Sequence, residues 1–350
     1  MRKTLITLFV LIMVFLPFSN SQVFSEEKKE EEPREPVYLT LFEGNIIKSQ
    51  GRELLALNAE TGKQLWKATL ADKLVVEPTA FNGKVVAPIA NKRTTIIESK
   101  TGKILASYIW PAILSTPITF TKSNAFFGLS DGTFYCTTPD FKKIIWRQVL
   151  IKGEFQLGKS TFDKFGNLFL LTNKNNILSV DSKKGKLLWK TNAGVKVIPE
   201  IHYANDMLYM GSDSKIFKAY FAKDGKKAWE YSAKGDFECG VTLGVGNKLY
   251  VGNTDKNLYC LDQKTGKKLF EHTSQGEVKT TPVICSDRVF FASSNGRFYC
   301  IDAVNGQKII TAPTRLDCNP VASDKYVYYI FRDILICAKP DLKFVWNHIH

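Results

Sequence analysis

The sequence predicts an all-β chain, an eight-bladed β-propeller whose blades are four-stranded and antiparallel. Three observations carry this. A strand–turn–strand pattern, clearest at 56–66 (ALNAETGKQLW), recurs eight times, starting at Ala56, Ile96, Cys136, Ser179, Ala219, Cys260, Cys300 and Cys337. Those starts lie 37 to 43 residues apart, and four short strands at a period near 40 describe a propeller blade. Upstream of each hairpin lies a second short strand–turn–strand pattern, as in Thr281-Pro282-Val283-Ile284-Cys285-Ser286-Asp287-Arg288-Val289-Phe290. Proline is tolerated at the first residue of a strand, where its missing N–H need not break a ladder.

Each position of the hairpin has a physical task. Asn58, and its counterparts Asp181, Asp262 and Asp302, can accept hydrogen bonds from the amides of the turn. Gly62, Gly185, Gly225, Gly266 and Gly306 close the turn, where a left-handed backbone is costly for a residue with a Cβ. Trp66, Trp146, Trp189, Trp229, Phe270 and Trp346 end the pattern, each a large anchor able to pack on the next copy. Weaker copies carry Ala106 and Ile310 in place of the Trp and Lys142 in place of the Gly, and the copy at 337–346 is one residue shorter. A single four-stranded sheet cannot bury both faces, so neighbouring blades must do so. The strands beginning near the Thr-Pro positions should line a central channel. Both terminal units hold four strands, so ring closure should rest on packing between blades; a swap of the strand at 37–42 is the alternative.

The chain has 350 residues, 44% of them hydrophobic and 12% aromatic, enough for a large core. Arg2 and Lys3 precede an apolar run at 5–18, followed by Ser19-Asn20-Ser21. This reads as a secretory signal peptide over 1–21, with the uncleaved anchor as its alternative. A polar, Glu- and Lys-rich stretch over 22–36 reads as a disordered spacer, and 37–350 as a single propeller domain. No other long apolar stretch follows the signal, so no transmembrane segment is expected after its removal. The net charge is +14. Lysines in turns and on edge strands keep sheets soluble, and no Arg-rich, aromatic-interleaved patch argues for nucleic acid.

Seven cysteines in an exported chain raise the question of disulfides. Cys136, Cys260, Cys300 and Cys337 all take the position of Ala56, which reads as a small buried site holding packed thiols. Four histidines, His202, His272, His348 and His350, are scattered or terminal, and no cysteine pair has zinc-ligand spacing. No metal or cofactor site is expected.

Two motifs resemble active-site signatures. The run Gly153-Glu154-Phe155-Gln156-Leu157-Gly158-Lys159-Ser160 matches a phosphate-binding loop, but that chemistry needs a helix beginning at Lys159, and a turn and a strand follow instead. The run Gly128-Leu129-Ser130-Asp131-Gly132 matches a nucleophile elbow, but it occupies the turn between the second and third strands of a repeat, not a strand-to-helix turn.

The hairpin consensus, Ala-x-Asp-x-x-x-Gly-Lys-x-x-Trp, resembles the quinoprotein-type propeller repeat with its tryptophan-docking residues. Among such propellers, an exported eight-blade chain with little else resembles the BamB type. That resemblance implies a non-enzymatic periplasmic scaffold of the outer-membrane β-barrel assembly machinery, which binds the barrel-forming insertase. Two departures stand out. The family is usually lipidated on an N-terminal cysteine, whereas the first cysteine here is Cys136. The family's loop before the fourth blade usually reads Leu-Arg-Gly-x-Ser-Ala-Pro. The matching place reads Gln156-Leu157-Gly158-Lys159-Ser160-Thr161-Phe162, where Gly158 and Ser160 match and the Arg does not.

The resulting expectation is a monomeric, exported, periplasmic protein-binding scaffold, associated with the outer membrane through partners. The partner would be a β-barrel insertase or another envelope protein. The candidate binding loop is 152–160, with Lys152, Phe155, Leu157 and Lys159 as its contacts. Alternatives are a propeller binding another envelope protein or a polysaccharide, and a quinoprotein dehydrogenase. That last needs acidic ligands on long insertions, for which the repeat spacing leaves little room.

Overall fold

The computed structural model describes residues 35–198, 200–314 and 318–349. The expected signal peptide over 1–21 and nearly all of the expected spacer lie outside the described residues. Residues Pro36–His350 form one compact unit of eight four-stranded antiparallel sheets, each following chain order. The blades cover 37–69, 79–109, 119–149, 156–192, 202–232, 241–273, 283–313 and 321–348. No described residue is helical, so no described helix is long and apolar enough to cross a membrane.

Burial explains why the strands read as they do. The second and third strands are sandwiched between blades on both sides. In blade 1, Asn45–Gln50 and Glu53–Asn58 are each buried at four consecutive residues, so both faces must be apolar or satisfied. The fourth strand, Gln64–Thr69, buries only Trp66 and Ala68, in alternation. The first strands of neighbouring blades approach one another and line the channel.

Blades are joined by the predicted docking contact. Trp66 lies over Gly102 of the next blade, Trp146 over Gly185, and Trp189 over Gly225. Trp229 and Phe270 lie likewise over Gly266 and Gly306. Each indole N–H also donates to a carbonyl of the neighbouring turn: Trp66 to Ser99 (2.7 Å), Trp146 to Ser182 (2.8 Å), Trp189 to Ala222 (3.1 Å) and Trp229 to Gln263 (3.0 Å). Gly102 joins the glycines singled out from the sequence. Glycine is required here for two reasons at once. Gly62 has a φ of 67°, and a Cβ there would sit 2.5 Å from the Trp346 ring.

That last contact closes the ring. Blades 1 and 8 each take all four strands from contiguous sequence, so no strand is swapped between the ends. The Ala59 carbonyl accepts both the Trp346 indole N–H (3.1 Å) and the Tyr328 hydroxyl (3.0 Å). Leu39, Ile46, Leu55 and Leu57 pack with Tyr328, Leu335 and Trp346 in one apolar cluster.

Between blades 2 and 3 the size relation is reversed. Ala106 stands where others have Trp, and the sequence register puts Lys142 at the glycine position. The structure corrects that register: the left-handed residue is Phe141, with a φ of 60°. Its N–H donates to Thr138 O across three residues, whereas that of Gly62 spans four to Asn58 O. The tighter turn swings the Phe141 ring inward, where it is buried with Trp110 and Phe127 and packs beside Ala106. Small opposite large replaces large opposite small. Blade 8 has the same tight turn, with Leu342 left-handed at φ 58° and bonded to Lys339 O.

All seven cysteines are free and buried. Burial pushes the thiols of Cys136, Cys260 and Cys337 up to about 12, consistent with inert packing.

Trp229→Ala should cost about 3–5 kcal/mol of unfolding free energy, whereas Trp66→Phe, which keeps most of the ring and loses its N–H, should cost about 1 kcal/mol; urea titration measures both. The reversed interface predicts coupling. Ala106→Trp alone should destabilise by about 1–3 kcal/mol through overpacking, and combining it with Phe141→Gly should recover at least about 1 kcal/mol relative to the sum of the single changes in a double-mutant cycle.

Candidate partner-binding site at the channel mouth

The candidate segment 152–160 divides in two. Lys152, which is exposed, and Phe155, which is half-buried, lie in the connection entering blade 4. The expected loop ends there, because Gln156–Phe162 forms the first strand of that blade. Leu157 and Lys159 are therefore strand residues. The glycine that reads as loop is absorbed by a bulge: the register with Asn167–Thr172 shifts between Leu157 and Thr161, and Gly158 takes a φ of 64°. Such bulges re-aim side chains. Lys159 lies in mid-strand, so the helix a phosphate loop requires is absent at this position.

The connection is anchored by a residue that sequence reasoning passed over. The Glu154 carboxylate is buried and accepts from Thr172 Oγ1 (2.6 Å) and Asn176 Nδ2 (2.8 and 3.0 Å), with Lys190 Nζ at 3.8 Å. Burial pushes its pKa up, but the bonds from Thr172 and Asn176, with Lys190 and Lys174, outweigh this and hold it below the usual carboxylate range. The Phe155 N–H donates to Asn173 Oδ1 (3.0 Å). Lys152 thus projects from a braced connection, not from a loose one.

The bulge places Gly158, Lys159, Ser160 and Thr161 on the wall of a channel cavity of about 640 Å3. Tyr38, Glu77, Glu200, His202 and Asn319 share that wall. They come from blades far apart in sequence but sit near the start of each blade's first strand, which the topology gathers around the axis. Hydrogen bonds between blades hold this belt. Ser160 Oγ donates to Thr119 Oγ1 (2.9 Å), the Gly240 N–H to Thr281 Oγ1 (3.0 Å), and the Thr281 N–H to Asn319 Oδ1 (3.0 Å). Residues 159 and 200 form a parallel bridge, and Glu200 Oε2 lies 3.4 Å from His202 Nε2.

Glu77 is open to channel water yet ringed by protein. Desolvation raises its pKa, the nearby Lys159 ammonium opposes this, and the Glu200 carboxylate adds to it. Tyr38 is raised by burial and then by Glu77. The wall offers a cation, two carboxylates and several neutral donors and acceptors, an arrangement suited to recognising a polar segment. Among the described residues no three His, Cys, Asp or Glu side chains converge to hold a metal ion.

The family model described as outer membrane protein assembly factor BamB matches residues 30–125 and 130–341. Among solved structures, BamB from Moraxella catarrhalis superposes with a TM-score of 0.64 at 14% identity, covering 79% of this chain and 88% of its own. The computationally designed Ika8 protein gives a TM-score of 0.73 at 13% identity, covering 91% and 98%. A europium-containing methanol dehydrogenase gives 0.69 at 11% identity, covering 84% and 82%. At such identities the likeness is one of fold. No curated protein matches by sequence.

Because Glu77 is raised, its neutral form is favoured in the folded state. Its contribution to stability is full below the ordinary value of 4.5 and is lost as pH rises through the raised value. Glu77→Gln should therefore melt close to the parent near about pH 4 and above it near about pH 7, as followed by thermal unfolding across that range.

Proposed function

Because the chain belongs to the family described as outer membrane protein assembly factor BamB, we propose that it is a non-enzymatic, protein-binding scaffold of the bacterial envelope. Its partner is a component of β-barrel assembly, and it acts as an exported monomer. The observation that supports this most is the family match, which runs through all eight blades.

We put the partner contact at the channel mouth. The braced connection carrying Lys152 and Phe155 runs into the strand that sets Lys159 on the cavity wall, one path along the chain toward the cavity. Rigid sheets carrying such a path lose little order on binding. A partner segment with acidic side chains would meet Lys152 first and Lys159 further in, while its donors meet Glu77 and Glu200. Leu157 contributes its backbone register to the strand that carries Lys159.

Crosslinking in intact envelopes followed by capture of the tagged protein should recover a barrel-insertase subunit. The double change Lys152→Glu and Lys159→Glu should cut recovery at least about fivefold, each lost charge contact contributing about 1 kcal/mol. Capture without any insertase subunit would overturn the reading.

A further inference from the structure

Charge is distributed unequally between the two ends of the ring. In an up-and-down blade, the turns joining first to second and third to fourth strands emerge at one end; the remaining turns and the blade connections emerge at the other. The third-to-fourth turns of seven blades carry at least one exposed lysine, from Lys63 and Lys100 through Lys142, Lys183, Lys223 and Lys264 to Lys339, and in blade 7 the exposed Lys308 opens the strand after the turn. Three acids of the same hairpins are committed to backbone amides, while Asp140, Asp224 and Asp341 pair with lysines of their own turns and Glu60 with Lys325. Asp181 Oδ1 accepts the Lys183 and Lys184 N–H groups, Asp262 Oδ1 those of Lys264 and Thr265, and Asp302 Oδ1 those of Val304 and Asn305. In these three turns the motif thus commits its carboxylate to backbone amides.

The same end displays exposed apolar tips. Phe165 is 74% exposed, Val245 95% and Val304 69%, on turns of blades 4, 6 and 7. The opposite end is mixed. There Lys196 pairs with Asp213 and Lys279 with Glu238 and Glu277, and the channel adds Glu77 and Glu200.

We infer that the hairpin-turn end of the ring docks on an anionic phospholipid surface. Regularly spaced ammonium groups over a broad face suit a diffuse sheet of charge, each lysine near such a surface contributing about fivefold to affinity. Isolated apolar tips among them can enter the interfacial layer. A nucleic acid or another linear polyanion is the poorer match. Guanidinium groups are the better fork for individual phosphates, and the cations of these hairpins are lysines. Docked this way, the ring leaves its mixed-charge end and the Lys152–Lys159 path facing away from the lipid.

The test uses the mature full chain and sedimentation with vesicles. Binding is expected to vesicles containing anionic phospholipid and not to neutral phosphatidylcholine, and to weaken as salt rises. Lys183→Gln, Lys184→Gln, Lys223→Gln and Lys264→Gln together should weaken it at least about tenfold. Lys92→Gln, Lys174→Gln, Lys215→Gln and Lys256→Gln, an equal change of net charge at the opposite end, should leave it nearly unchanged. Phe165→Ser with Val245→Ser should remove the binding that survives high salt. Thermal melts confirm that each variant folds. Equal losses from the two lysine sets, no vesicle binding, or binding to a single-stranded oligonucleotide in preference to vesicles would each overturn the proposal. Insertase capture is read separately, so failure here leaves the scaffold reading standing.

Discussion

The ring depends on one contact: a large flat side chain on the outer strand of a blade, laid over a backbone position without a side chain on the next blade's turn. The ring contributes dispersion and burial, and its N–H fixes the angle by donating to the turn carbonyl. Trp346 over Gly62 does this across the ends of the chain, so closure uses the same chemistry as every ordinary interface and no covalent or strand-swapped latch. Where Phe270 has no N–H to offer, the Tyr250 hydroxyl reaches the Ala303 carbonyl instead. Tyr209 and Tyr328 duplicate the tryptophan's acceptor in their own blades.

The contact also tolerates inversion. With Ala106 on the strand and Phe141 on the turn, the bulk comes from the opposite partner and the interface is still filled. What is conserved between copies is volume at the interface, not the identity of either residue. This is how a close-packed interior responds to substitution. It also separates two kinds of information in the chain. Periodic residues hold blades together; residues that break the period, such as the bulge at Gly158 and the buried Glu154, shape the surface a partner would meet.

Most of the scaffold was legible in the sequence because the blade repeat is local. A hairpin with an Asx-accepting residue, a closing glycine and an aromatic anchor states its own geometry within eleven residues. The single-file order of the sheets then follows from the spacing. The candidate site was legible only in part. Lys152 and Phe155 lie in a connection, as the blade spacing predicts. Lys159 was placed in a loop and stands on a strand, because a glycine in a strand with a bulge and a glycine in a loop look alike in sequence. Glu77, Glu200, His202 and Asn319 carried no signal at all. They lie far apart along the chain and meet only because a closed ring brings the first strands to a common axis.

By itself, then, the sequence determined the blade count, the internal register of most hairpins, the burial of four of the seven cysteines and the identity of nearly all the docking residues, since each is a consequence of short-range periodicity. Tertiary structure decided which side chains share the channel wall, and how the interface between blades 2 and 3, where Ala106 stands in place of the Trp, is filled by Phe141. Those outcomes depend on distances between residues tens to hundreds of positions apart, and only closure of the ring sets them.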